Sequence, residues 1–128
     1  MNLLLDTVTF LWIVDEAERV GPNGRFALED PGNVVFLSAA SVWEIMVKHR
    51  LGKLPLPQPP EKLIPQQRAL RGIEPLEITE AATLRLRQLP DLHKDPFDRL
   101  LACQAIEHEM TIVTPDPMIQ AYPIRTLW

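Results

Sequence analysis

Apolar residues in this chain come in short runs, and the runs alternate between strand-like and helix-like lengths. Leu3-Leu4-Leu5 predicts a short buried strand, and residues 7–14 continue as an apolar helix containing Trp12. Residues 22–30 predict a short helix, started near Gly21-Pro22 and stopped at Pro31-Gly32. Residues 34–37 are β-branched and apolar and predict a second strand; residues 41–51 predict a helix ended by Gly52. After a proline-rich connector at 55–60, residues 61–70 read as a helix that Gly72 ends. Residues 74–78 predict a strand, and 79–89 a helix capped by Thr79. Residues 95–109 predict a helix with Asp95 as cap and Pro96 at the first helical position. Residues 111–113 predict a strand, 117–122 a helical turn, and 124–127 a last edge strand.

Strands alternating with helices predict an α/β fold with a mainly parallel sheet. At 128 residues the chain reads as one domain, 1–128, with a single sizeable core. The connector at 55–60 reads as a stiff link within it. No apolar run is long enough to span a membrane, and no basic-plus-apolar leader precedes Leu3, so a soluble, cytoplasmic protein is expected. Cys103, the one cysteine, falls in an apolar helix pattern and reads as a small core residue. The histidines (His49, His93, His108) lack metal-ligand spacing and read as surface or helix-end residues.

Four acids occupy equivalent places in this pattern. Asp6 and Asp116 follow strands; Glu44 and Asp98 are expected in the first turns of helices. In a parallel sheet both positions fall at the strands' carboxyl edge, where open α/β sheets usually bind ligands. Each acid also has a structural explanation. Ser41-Val42-Trp43-Glu44 reads as a capping box, and Lys48 stands four residues on, at ion-pair spacing. Against this, Val42, Trp43, Ile45, Met46 and Val47 make that helix apolar nearly all round, which predicts a buried first turn. Asp98 suits a helix start, yet it shares a stripe with Leu101, Ala102 and Ala105 that should face the sheet. Asp116 fits a turn, and Asp6 fits a cap. The joint pattern favours convergence on a divalent cation. The net charge of −4 argues against sequence-blind coating of nucleic acid but not against a nuclease, because a metal supplies positive charge where phosphate binds.

Leu-Leu-Leu-Asp-Thr at 3–7, Ser-Ala-Ala-Ser-Val-Trp-Glu-Ile at 38–45 and Lys-His-Arg-Leu-Gly-Lys-Leu at 48–54 resemble the PIN-domain ribonucleases. His-Lys-Asp-Pro-Phe-Asp-Arg-Leu-Leu at 93–101 and Val-Thr-Pro-Asp-Pro at 113–117 extend the resemblance over nearly the whole chain. It is greatest to the VapC-type toxins of bacterial toxin–antitoxin pairs. The resemblance implies a three-layer sandwich around the sheet and a metal site of Asp6, Glu44, Asp98 and Asp116. Thr7 and Thr114 would be polar helpers and Ser38 another at the strand end; Asp95, read from its own place one turn before Asp98, fits the helix cap and a water-mediated contact. It also implies an RNA substrate, a homodimer, and a cognate antitoxin that wraps the toxin. Val8, where many relatives carry a polar or aromatic residue, and Pro115 depart from the pattern without removing an acid.

An oxygen-only ligand set suits Mg²⁺ or Mn²⁺, which activates water for attack on a phosphodiester. Lys48 and Arg99 are the basic residues best placed to meet RNA; Arg50 and Lys53, grouped with Lys48 and His49, fit a solvated helix end equally well, and Lys94 flanks the Asp95/Asp98 turn. Phe10, Trp12 and Trp43 are candidates for partner surfaces or for core, Trp12 more for core. A dehalogenase-type phosphatase would place a second Asp where Val8 stands, and a receiver domain would need paired acids at the first strand; neither is present. The remaining alternative is a non-catalytic interaction module whose acids only cap helices.

Overall fold

The computed structural model describes residues 1–92 and 94–128; the reading of His93 lies outside the described residues. Five parallel strands form one sheet in the order β3-β2-β1-β4-β5. They are β1 (Asn2–Leu5), β2 (Val34–Ser38), β3 (Ile73–Leu76), β4 (Thr111–Val113) and β5 (Arg125–Leu127). The expected mainly parallel sheet is parallel at every pairing. β1 lies at the centre, with Leu5 beside Leu37 of β2 on one side and Val113 of β4 on the other.

The helices are α1 (Thr7–Asp15), α2 (Pro22–Glu29), α3 (Ala39–Arg50), α4 (Pro60–Arg71), α5 (Glu80–Leu84), α6 (Pro96–His108) and α7 (Pro117–Gln120). Successive strand side chains point to opposite faces of a sheet, and the core divides accordingly. Leu3 and Leu5 pack with Phe10 of α1, Ile45 of α3 and Ile64 of α4. Leu4, between them, packs on the other face with Leu101 and Ala105 of α6 and Ile119 of α7. The sheet is therefore the middle of three layers. Cys103 is buried, as expected.

Several expected boundaries move, each for a physical reason. The third helix starts at Ala39, two residues before its expected beginning, because the Ser38 hydroxyl caps it by accepting from the Ala40 N–H at 3.0 Å. The Ser41–Glu44 capping box does not form, and Glu44 lies in the second turn rather than the first. The apolar residues of α3 do not all find cover: Ser41, Glu44 and Ile45 are buried, as the expected buried first turn requires in part, but Trp43 and Met46 are exposed. The third strand runs from Ile73 to Leu76 rather than over 74–78, and it tolerates Pro75 as an edge strand. The helix expected over 79–89 keeps its Thr79 cap but tightens into a 3₁₀ turn at Arg85–Gln88. Phe10 is fully buried and offers nothing to a partner. Trp12 is half-buried, 5.7 Å from the ring of Trp128 and beneath the Arg19 guanidinium at 4.1 Å.

Candidate active site

The strands' carboxyl ends and the helix starts they lead into form the rim on which the acids stand. Asp6 follows the last residue of β1 and caps α1: its Oδ1 accepts from the Thr9 N–H at 2.8 Å. Its Oδ2 accepts from the Thr114 hydroxyl, which lies just past β4. The neighbouring strands β1 and β4 thus deliver donor and acceptor to the same point. Burial raises the Asp6 carboxyl above the usual carboxylate range. The hydrogen bonds from Thr114 and Thr9 oppose that shift, and the charge of Asp116 adds to it.

Thr7 is the first residue of α1 and points across to α3. Its hydroxyl donates to Glu44 Oε1 at 2.7 Å and lies 3.0 Å from the Ser41 hydroxyl. Glu44 is buried, and its other oxygen is paired with Lys48, one turn on, whose side chain is half exposed. Lys48 therefore offsets the charge of one rim acid while half of its side chain stays open to solvent.

Asp98 lies in the first turn of α6, half-buried, and its carboxyl is pushed up to about 7. Burial is the largest cause, followed by the charges of Asp95, Asp116, Glu44 and Asp6. Asp98 thus feels the three other rim acids as well as its neighbour. Asp95 caps α6, accepting from the Phe97 N–H at 2.9 Å and the Asp98 N–H at 3.3 Å. Asp116 caps α7 through the Met118 N–H at 2.8 Å, and its own N–H donates to Thr114 Oγ1 at 3.0 Å. The Arg99 guanidinium is held to the Lys94 carbonyl at 3.2 Å.

Ser38 behaves differently from the expectation. Its hydroxyl donates to Gln104 Oε1 at 2.6 Å, so its bond goes to an amide and not to a carboxylate. Two buried residues went unnoticed as site candidates. Ser41 touches Thr7 beside Glu44, and its Ser-x-x-Glu spacing had suggested a cap. Gln104 had no signal beyond being a polar residue in an apolar helix pattern.

The donor chemistry at this rim is carboxylate and hydroxyl oxygen, which matches a hard cation. Among the described residues no three His, Cys, Asp or Glu side chains are gathered tightly enough to hold an ion directly. Mg²⁺ tolerates that arrangement, because it keeps several waters and is held by one or two carboxylates at a time. The fit rests on charge: buried or half-buried acids repel one another here, and Lys48 offsets Glu44 alone.

Comparison with known proteins agrees with this architecture. Over 63 residues the chain is 41% identical to Ribonuclease VapC16 of Mycobacterium tuberculosis. That match spans 49% of this chain and 45% of the relative, so it covers under half the length of either protein. VapBC2 from Rickettsia felis, solved bound to a DNA fragment from its promoter, superposes with a TM-score of 0.73. It is 15% identical, over 99% of this chain and 98% of that one. FitAcB from Neisseria gonorrhoeae superposes with a TM-score of 0.57 at 25% identity, over 98% and 96% of the two chains. The PIN domain family model matches residues 3–124, a span that opens in the central strand and takes in all four rim acids. On that match the chain belongs to the PIN-domain family.

Proposed function

We propose that this chain is a metal-dependent endoribonuclease acting as the toxin of a toxin–antitoxin pair. The observation that carries the reading is Asp98, a carboxyl pushed to about 7 by burial and by the charges of Asp95, Asp116, Glu44 and Asp6. Acids from both ends and the middle of the chain concentrate negative charge on one rim, and a divalent cation relieves it. Asp6, Glu44, Asp98 and Asp116 would hold Mg²⁺ or Mn²⁺, partly through water. When bound, such an ion supplies Lewis-acid activation of water and positive charge against the phosphate.

The chain's own groups fix the carboxylates. Thr114 and the Thr9 N–H orient Asp6. Thr7 orients Glu44 against Lys48. Asp98, half-buried and repelled by its neighbours, takes up a proton near neutral pH unless a cation displaces it. Arg99 and Lys48 border the acids and would meet the RNA backbone. An RNA substrate and a cognate antitoxin are supported by the likeness to Ribonuclease VapC16 and to the solved VapBC and FitAcB proteins. A homodimer rests on the family resemblance alone.

The capping-module alternative has one observation in its favour: Asp6, Asp95 and Asp116 all cap helices. Glu44 and Asp98 stand beyond cap positions, and that reading leaves their placement unexplained. The deciding experiment is RNA cleavage by the parent, Asp6→Asn and Asp98→Asn in Mg²⁺ or Mn²⁺. Each variant is expected to lose at least about a hundredfold in rate with its circular dichroism unchanged. Parental rates in both variants would overturn the assignment.

A further inference from the structure

Gln104 lies on α6, six residues beyond Asp98, and is fully buried. A buried amide is costly unless its donors and acceptor are met. Here one N–H and the carbonyl oxygen are met by two other segments of the chain. Nε2 donates to the Glu77 carbonyl at 3.1 Å, just past the end of β3. Oε1 accepts from the Ser38 hydroxyl at 2.6 Å, at the end of β2. A backbone carbonyl only accepts, so Glu77 dictates which end of the amide faces it. That leaves Oε1 toward Ser38, and Ser38 must donate. The same hydroxyl accepts from the Ala40 N–H and thereby caps α3.

One side chain thus joins α6 to the cap of α3 and to the exit of β3. Asp98 is carried by α6 and Glu44 by α3, and each helix is a rigid rod on this scale. Six residues of helix correspond to about 9 Å of rise, so a slip at Gln104 is carried to Asp98 with its size unchanged. We propose that Gln104 is a positioning residue: by tying α6 to the first turn of α3 it sets the spacing of Asp98 and Glu44, and through that spacing their joint affinity for a divalent cation. The proposal rests on the nuclease reading given above. Gln104 and Ser38 bond to each other and to backbone, so their effect on a cation passes through the helices.

Gln104→Met keeps the length of the side chain and removes the amide; Ser38→Ala removes the other end of the link. Mn²⁺ affinity measured by calorimetry, alongside the melting temperature of the metal-free protein, tests the idea. Each substitution is expected to raise the Mn²⁺ Kd about tenfold, the range seen when partners that orient metal ligands are removed. The double variant is expected to bind no more weakly than the weaker single variant, because both changes break one link. A lowered melting temperature with parental Mn²⁺ affinity makes Gln104 purely structural and overturns the proposal, as do additive effects on Kd. If Gln104→Met does not fold, Gln104→Asn and Ser38→Ala give the same reading, and unchanged affinity in either that folds is equally fatal. Failure of the site itself looks different. If the parent binds no Mn²⁺, or Asp98→Asn binds as tightly as the parent, the nuclease reading and this inference fall together. If Asp98→Asn loses affinity while Gln104→Met keeps it, this inference falls alone.

Discussion

Asp98 links charge to folding. Its carboxyl ionises near 7 in the folded protein and near the ordinary 3.8 in the unfolded chain. Between those values the folded state holds the extra proton, so stability falls as pH rises through the window. Asp6, also raised, adds to the slope in the same direction. Metal-free protein is therefore expected to become less stable from about pH 4 to about pH 7 and to level off above that. Urea unfolding across that range checks this, and Asp98→Asn should flatten the curve. Saturating Mn²⁺ should reverse the trend near neutrality, because ionised carboxylates bind it best. Legibility at this scale was uneven. Asp98 could be found because a charge heading the Leu101–Ala105 stripe conflicts with a face turned to the sheet. Ser38 and Ser41 were misassigned because either serine can start the helix, and the choice depends on what each hydroxyl meets across the fold. Ser38 meets Gln104 from α6, and Ser41 meets Thr7 from α1. Neither partner is near in sequence.

Helix boundaries show which signals are local. Asp95-Pro96 and Thr79 were read correctly as starts because a cap needs only its own backbone neighbours. Gly72 was read correctly as a stop, and it sits at φ +66° with its N–H bonded to the Arg68 carbonyl. The strand at Ile73–Leu76 was displaced because its length depends on pairing with β2, which no local pattern states. Two glycines separate backbone from packing effects. Gly72→Ala meets open space but must adopt a left-handed conformation, an expected cost of about 1 kcal/mol. Gly21 has ordinary backbone angles, yet a Cβ there would lie 2.6 Å from the Trp128 carbonyl carbon. Gly21→Ala is expected to cost about 1–3 kcal/mol by overpacking, and more than Gly72→Ala. Thermal unfolding of the two variants ranks them, and loss of the Trp12–Trp128 contact should show in tryptophan fluorescence only for Gly21→Ala.

At the scale of the molecule, the α/β alternation was plain in the sequence, and so was the rim to which parallel strands bring their carboxyl ends. The order of the strands was not, because side-by-side placement depends on crossovers that hydrophobic period does not encode. That order interleaves the two halves of the chain. β1 and β2 come from before the exposed prolines Pro55, Pro57 and Pro59, and they are flanked on one side by β3 and on the other by β4 and β5. Asp6 and Glu44 lie on the early half, Asp98 and Asp116 on the late one. A gene cut at the connector would therefore yield two peptides that are each inert, lacking half the carboxylates and presenting open sheet edges to the other. If the proposed nuclease activity holds, the co-expressed pair is expected to cleave RNA only on reassembly, and Asp98→Asn in the second peptide should abolish it. On the nuclease reading, the same partition makes this small protein a natural two-fragment reporter, silent until its pieces meet.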